Sequence, residues 1–263
     1  MELLKSLRIP RAVTVLIALS VLTGCFRPSF QPEGALVPTS SSQQVCAELN
    51  RSRGQVRSVR VLADATISSV AERASFRYVV VSQEPSSFRV DVLPLNGAFT
   101  LGLLVSHEGR AMWLNSQERT YSEDRDERRL VAEYLGLRGV SRETVVALMT
   151  GVLPKLSCPD VTVYEVANGD RILVDQRARV AWRVAGPSSE IISAQVLDPK
   201  GDAVEMEAVV ARPQGGAPKT LALEIFAPAR AHVDLALTKV VLNPTISERL
   251  FEVKPPSHYT LVD

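Results

Sequence analysis

The sequence predicts a mainly β protein of the α+β class, in which a curved antiparallel sheet is covered by helices. Apolar and polar residues alternate over several stretches before residue 121 and again after residue 160. Such alternation is typical of strands that bury one face. The middle of the chain, residues 122–154, instead has apolar residues at the spacing of a helix. Strands on both sides of two central helices favour a meander whose open face the helices cover.

The strands are predicted wherever every second residue is apolar. In the first half these stretches are residues 59–68, 76–80 and 88–92, followed by apolar runs at 98–105 and 112–114. In the second half they are residues 161–166, 171–174, 180–184, 192–196, 204–210, 221–225 and 232–241.

Two helices are predicted in the middle of the chain. Ser122 is a candidate N-cap for the first helix, which would begin in the acidic run 123–126 and carry Leu130 and Val131 on its apolar face. Ser141 is a candidate N-cap for the second helix, which Pro154 would end.

The N-terminus has the layout of an exported lipoprotein. Basic residues precede an apolar run at 12–22, which is shorter than the roughly 20 residues of a bilayer-spanning helix. The residues Leu22-Thr23-Gly24-Cys25 resemble the lipobox at which bacterial lipoproteins are acylated and cleaved. We therefore expect residues 1–24 to be a signal peptide and Cys25 to carry the lipid that anchors the chain to a membrane. The alternative is an ordinary secreted protein with a cysteine here by chance.

Residues 25–44 are predicted to be a lipidated, flexible tether, because they contain three prolines and a serine run without an apolar period. The folded domain would then span residues 45–263. Phe26 stands where an aspartate often signals inner-membrane retention in enterobacteria, so we expect the outer membrane, with the domain facing the periplasm. The formal net charge of +1 gives no basic excess, which excludes nucleic acid as an expected partner.

Two cysteines remain once Cys25 is assigned to lipid. An even number of cysteines in an oxidising compartment predicts one disulfide, here between Cys46 and Cys158. Two separate buried thiols are the alternative.

Residues 88–156 resemble the outer-membrane lipoprotein receptor LolB, which shares its fold with the periplasmic carrier LolA. The resemblance rests on the turn Leu93-Pro94-Leu95-Asn96-Gly97, on Arg119-Thr120-Tyr121 before a helix, and on a second helix that ends in Gly151-Val152-Leu153-Pro154. Residues 235–243 and 251–255 are similar to the closing strands of that fold. The cysteines at 46 and 158 are not part of the receptor's pattern.

The LolA/LolB resemblance implies a half-barrel sheet covered by two or more helices, with a hydrophobic cavity for acyl chains. The cargo would be an acylated molecule, a lipoprotein or a lipid, received from a LolA-like periplasmic carrier. The resemblance also implies that Leu95 lies at the tip of a membrane-contact loop; packing of Leu95 back onto the sheet edge is the alternative. Candidate cavity residues, each of which could equally be ordinary core, are Phe76, Tyr78, Phe88, Val90, Leu103, Met112, Trp113, Leu148 and Met149.

No catalytic motif is present in the sequence. The three histidines are far apart, and neither a nucleophile motif, a phosphate loop nor metal-ligand spacing occurs. We therefore expect no enzyme, no metal and no cofactor. Two functions stay open: a lipid-binding lipoprotein that serves lipoprotein or lipid localisation, and a non-catalytic structural or interaction lipoprotein of the envelope. An open cavity would favour the first, and a filled core the second.

Overall fold

The computed structural model describes residues 27–52, 56–70, 72–134, 137–186, 188–212, 217–227 and 230–262. These residues form one large curved sheet and three α-helices. The strands are β1 (Ala35–Leu36), β2 (Ser58–Ser69), β3 (Arg73–Gln83), β4 (Ser87–Leu93), β5 (Gly102–His107), β6 (Arg110–Asn115), β7 (Thr120–Asp124), β8 (Val161–Glu165), β9 (Arg171–Asp175), β10 (Val180–Val184), β11 (Ile191–Leu197), β12 (Val204–Ala211), β13 (Thr220–Ile225), β14 (Ala231–Leu242) and β15 (Thr260–Leu261). The helices are α1 (Thr39–Ser52), α2 (Glu127–Tyr134) and α3 (Arg142–Thr150), with 3₁₀ turns at Cys158–Asp160 and Glu248–Leu250.

The sheet consists of two meanders that meet where β14 pairs with β2. The strand order is β1-β8-β9-β10-β11-β12-β13-β14-β2-β3-β4-β5-β6-β7-β15. Neighbouring strands are antiparallel, apart from β7 and β15, which are parallel. Helices α2 and α3 lie in the chain between the two meanders. The mainly β, curved, antiparallel architecture that the sequence predicts is therefore confirmed.

The main hydrophobic core lies between the concave face of the sheet and the helices. Strand β2 contributes Val59, Val61 and Ala63 to this core at every second residue, as its alternation predicts. Helix α2 adds Leu130 and Val131, both of which are buried. The helices thus remove the apolar face of the sheet from water.

A second, smaller cluster lies on the convex face. Residues 243–262 follow β14, cross this face and end in β15 beside β7. We call these residues the C-terminal strap. The cluster consists of Val81, Leu103, Val105, Met112, Leu114, Ile246 and Phe251. Because the strap covers them, the strands beneath it are buried on both faces. The expected closing strand at residues 251–255 is wrong, since Phe251 caps a 3₁₀ turn and the strap joins the sheet only at β15.

Helix α3 begins where the sequence predicts, but it ends at Thr150, before the predicted stop at Pro154. The Ser141 hydroxyl accepts a hydrogen bond from the Thr144 amide, and Gly151 ends the helix with φ of 69°. The predicted cap at Ser122 is wrong, because Ser122 lies in β7 opposite Trp113. Among the described residues, no helix has the length and apolarity that a bilayer crossing requires.

The predicted flexible tether is also wrong over its described part, residues 27–44. The Val204 amide donates to the Pro28 carbonyl, Ser29 bridges Ala203, and β1 pairs with β8. Helix α1 then packs on the core through Leu49 and its neighbours. Ladder hydrogen bonds and one narrow apolar stripe hold the segment, although its composition is polar. The folded domain therefore includes residues from Pro28 onward, rather than from residue 45. The predicted signal peptide and Cys25 lie outside the described residues.

The Cys46–Cys158 disulfide is confirmed. It joins α1 to the 3₁₀ turn before β8, with a Cα–Cα distance of 5.5 Å. Asn50, one turn after Cys46, donates from Nδ2 to the Leu156 carbonyl at 2.9 Å and accepts from the Leu156 amide at 3.0 Å. The bond and these two hydrogen bonds fix α1 to the chain that leaves α3.

Replacing either cysteine by serine is expected to lower the free energy of unfolding. The bond closes a loop of 112 residues, for which chain entropy gives an upper value of about 4–5 kcal/mol. Urea denaturation of C46S, C158S and the double variant measures the loss. The three variants should lose similar amounts, because each removes the same cross-link. Two reactive thiols in the denatured, unreduced wild type would contradict the bond.

The convex face also carries a histidine between two carboxylates. His232 Nδ1 lies 2.6 Å from Glu224 Oε1, and Nε2 lies 3.0 Å from Asp234 Oδ1. The hydrogen bond to Glu224 raises the pKa of His232 above its ordinary value of 6.5, with Asp234 adding to the effect and burial opposing it. The cluster is partly exposed, so its contribution to stability is modest.

This cluster predicts a pH-dependent difference between wild type and H232Q. Because the folded protein holds the proton more tightly, the stabilisation is complete below about pH 6.5 and is lost as the pH rises through the raised pKa. Urea titrations at several pH values should show the largest difference in unfolding free energy at the acidic end. A difference that grows with pH would contradict the assignment.

Candidate functional site

An apolar cavity lies between α3 and the concave face of the sheet. Its volume is about 80 Å³. Tyr78 supplies the single hydroxyl among the lining side chains, and burial raises the pKa of that hydroxyl. The lining residues are Ile67, Tyr78, Val80, Val90, Leu137, Val140, Val145, Leu148, Met149, Met206, Leu221, Leu223, Val233 and Leu235. Such a cavity can accept hydrocarbon and offers little to bind a polar molecule.

A second space, a groove of about 260 Å³, lies on another side of α3. It is mostly apolar and runs between α3, the start of β2 and the turn that joins β3 to β4. Helix α3 contributes Val146, Ala147 and Thr150 to the groove, whereas Val145 and Leu148 line the cavity. The helix therefore separates two mostly apolar spaces, the cavity on one side and the groove on the other.

Two arginines hold the ends of α3. Arg142, the first residue of the helix, donates to the Pro85 carbonyl at 2.7 Å and pairs with Glu143. Arg212, which follows β12, donates to the Gly151 carbonyl at 3.1 Å and pairs with Glu190 at 3.3 Å. The position of α3 thus depends on polar contacts at each end and on apolar contacts between them.

The structure brings four of the nine predicted cavity residues together. Tyr78, Val90, Leu148 and Met149 line the cavity. The remaining five residues, which do not line it, are Phe76, Phe88, Leu103, Met112 and Trp113.

Three of those five belong to the main core, as the alternative reading allowed. Phe88 is fully buried, and Phe76 packs on the core in part. Trp113 stacks on Tyr134 with ring centroids 4.9 Å apart, and its ring covers Gly102 so closely that a Cβ there would collide with it. These residues position the sheet and helix α2.

The assignment of Leu103 and Met112 to the cavity is wrong. Leu103 opposes Leu114, and Met112 opposes Val105, in the convex cluster beneath the strap. Their neighbours Leu104 and Trp113 point to the concave side instead. Successive side chains of a strand point to opposite faces, and both faces of β5 and β6 are apolar.

Ten of the fourteen lining residues were not predicted from the sequence, and five of these ten come from the second meander. Met206, Leu221, Leu223, Val233 and Leu235 lie on β12, β13 and β14. Their alternation was visible in the sequence, but the pairing of β14 with β2 is what brings them beside the first meander.

Leu95 lies at the corner of a turn between β4 and β5. The Gly97 amide donates to the Pro94 carbonyl at 2.8 Å, and Gly97 has φ of 67°. Leu95 is 47% exposed and borders a depression on the convex face beside Thr66 and Ser75. It is therefore neither buried nor fully free of the sheet.

Several charged side chains of the described residues form ion pairs. Asp64 pairs with Arg77 through two contacts across β2 and β3, and Arg89 pairs with Asp91 through two contacts within β4. Within the described ranges, no group of three or more His, Cys, Asp or Glu side chains is arranged to hold a metal ion. The arrangement around α3 is suited to binding hydrocarbon.

Comparison with known proteins identifies the fold. No protein-family model and no curated protein sequence matches the chain. Among solved structures, it matches a domain from Vibrio parahaemolyticus described as an outer membrane lipoprotein-sorting protein, with a TM-score of 0.57, 10% identity, and coverage of 82% of this chain and 97% of that one.

Two further structures agree with this match. A DUF1329 family protein from Desulfovibrio piger gives a TM-score of 0.58 at 11% identity, covering 82% of this chain and 97% of that one. A LolA superfamily protein from Nitrosomonas europaea gives 0.53 at 12% identity, with 81% and 97% covered. The curved sheet, the helices on its concave face and these three matches together show that the chain has a LolA/LolB-like fold.

Proposed function

We propose that this chain is an outer-membrane lipoprotein that binds acyl chains between α3 and the sheet and serves the localisation of lipoproteins or lipids. The observation that carries the proposal is the apolar cavity under α3 in a LolA/LolB-like fold. Its cargo would be a lipoprotein or lipid delivered by a LolA-like periplasmic carrier. Acylation of Cys25 would hold the protein at the membrane, with the domain in the periplasm.

The chemistry of the cavity supports an acyl ligand. Each methylene that leaves water for an apolar environment contributes about 0.8 kcal/mol. The side chains of Met149 and Met206 are flexible and can adapt to chains of different shape. Binding of this kind needs no polar recognition group, which agrees with the absence of a sharp motif in the sequence.

Binding of a whole acyl chain requires α3 to move. The cavity alone is smaller than the roughly 300–1,000 Å³ that ligand pockets occupy, but the cavity and the groove beside α3 together reach the lower end of that range. A shift of α3 would join the two spaces. It would cost the contacts of Arg142 with Pro85 and of Arg212 with Gly151.

The small volume of the cavity favours a second candidate function. With α3 in its observed position, most of the concave face is filled by side chains. A non-catalytic structural or interaction lipoprotein of the envelope would need no larger space. Native mass spectrometry of the lipoprotein purified from cells separates the two functions, because only the first predicts co-purified lipid or acylated protein.

Filling the cavity is expected to weaken acyl binding. In V233F a ring would occupy space on β14 that an acyl chain needs, and exclusion of about two methylenes corresponds to roughly tenfold weaker binding. Titration with a fluorescent fatty acid measures the affinity. The matched control is V209F, because Val209 is 48% exposed on the other face of β12, which lies two strands from β14. Equal affinities for both variants, with unchanged melting temperatures, would place the acyl chain elsewhere.

The Leu95 loop is expected to contact the membrane. In L95E the carboxylate should leave the melting temperature near that of wild type, because the side chain is half exposed, and should weaken binding of the domain to liposomes. Leu242 offers a control with nearly the same exposure, 45%, and L242E should bind liposomes as wild type does. A large loss of stability in L95E with unchanged liposome binding would show that Leu95 is a packing residue.

A further inference from the structure

Two loops at one end of the sheet expose apolar side chains without any core to enter. Val70, at the tip of the hairpin between β2 and β3, is 99% exposed. Phe99, in the loop between β4 and β5, is 57% exposed. Alternate turns of an antiparallel meander lie at the same end of the strands, so both loops belong to one rim. We call this end the hairpin rim.

The start of β12 reaches the same rim. Met206 lies opposite Ile225, and Ile225 lies opposite Ala231. Ala231 in turn lies opposite Ser69, the neighbour of Val70. These residues form one row across four strands, which spans about 15 Å at the usual strand spacing. The turn before β12 and the Val70 tip are therefore at one level of the sheet.

The N-terminal segment is attached at this level. The Pro28 carbonyl accepts from the Val204 amide at 2.8 Å, and Ser29 bridges Ala203. Arg27 pairs with Glu205 on β12, 3.6 Å away. In the sequence Cys25 is two residues before Arg27, and two residues of chain span at most about 7 Å. Acyl chains on Cys25 would therefore leave the protein at the hairpin rim.

We infer that the hairpin rim is the face with which this protein docks on the bilayer, Val70 and Phe99 entering the lipid beside the acyl chains of Cys25. The inference deepens the proposed function, since it rests on acylation of Cys25. A bilayer is the occupant that fits, because the covalent lipid and the exposed apolar tips lie at the same end. Arg73 and Arg230 are exposed at this rim, where guanidinium groups can pair with lipid phosphates, and Glu72 and Asp202 are exposed carboxylates near them.

The opposite end of the same sheet supplies a control position. Leu242 ends β14, eleven residues after Ala231, and is 45% exposed. At the usual rise per residue the two ends of β14 are about 35 Å apart. A domain that docks through the hairpin rim therefore holds Leu242 away from the membrane.

The test uses the full lipoprotein, reconstituted into vesicles of phosphatidylethanolamine and phosphatidylglycerol. V70C, F99C and L242C each add one free thiol for an environment-sensitive fluorophore, because Cys46 and Cys158 are bonded to each other. Labels at positions 70 and 99 should shift to shorter wavelength on reconstitution and be quenched by spin-labelled lipid several-fold more than the label at 242. Mass spectrometry of the same preparation should find acyl chains on Cys25.

Equal quenching at all three positions, or stronger quenching at 242, would overturn the inference, as would an unmodified Cys25. A separate measurement, the binding of a fluorescent fatty acid, tests the proposed acyl-binding cavity independently of the docking face. The double variant V70D/F99D should keep wild-type affinity for the fatty acid while its rim loses close contact with the bilayer. If wild type binds no fatty acid, the cavity proposal fails, and the labels still decide how the domain docks.

Discussion

The concave face of the sheet is apolar over most of its strands, and helices α1, α2 and α3 cover it. The other parts of the structure follow from this contact. The helices cover the concave face of both meanders, which form one continuous sheet. Helices α2 and α3 lie between the two meanders in the sequence. Burial of the apolar face supplies the stabilisation. The covering elements are held by local devices, namely the disulfide on α1 and the two arginines at the ends of α3.

Helices α1 and α3 are attached to the rest of the domain by different kinds of bond, and this difference determines which of them can move. Helix α1 is fixed covalently and by the paired hydrogen bonds of Asn50 with Leu156. Helix α3 is held by hydrogen bonds and ion pairs, which can break and reform. It also has space on two sides, whereas packing at native density leaves few such voids. Of the covering helices, α3 is therefore the one whose displacement is compatible with an otherwise intact fold.

The sequence predicted the strands well because a half-buried strand alternates visibly. It predicted the start of α3 well because the Ser141 cap depends on a neighbouring residue, Thr144, alone. It placed the end of α3 at Pro154, whereas the left-handed Gly151 already ends the helix after Thr150. It failed for α1, whose apolar stripe is short and whose serines and glutamines are typical of a linker. It failed for Leu103 and Met112 because both faces of β5 and β6 are apolar, and the strap, which is distant in sequence, covers the convex one. The local sequence pattern therefore indicates the type of element and its periodicity. Which element covers each face of a strand depends on segments that are distant in the sequence.

The open sheet has two edges, and each consists of a very short strand. Ala35–Leu36 and Thr260–Leu261 occupy the ends of the strand order. Pro38, two residues beyond β1, has no amide hydrogen with which to extend a ladder. An incoming chain would therefore find only a two-residue strand at the outermost position of either edge. Edge strands this short protect a large open sheet against edge-to-edge aggregation.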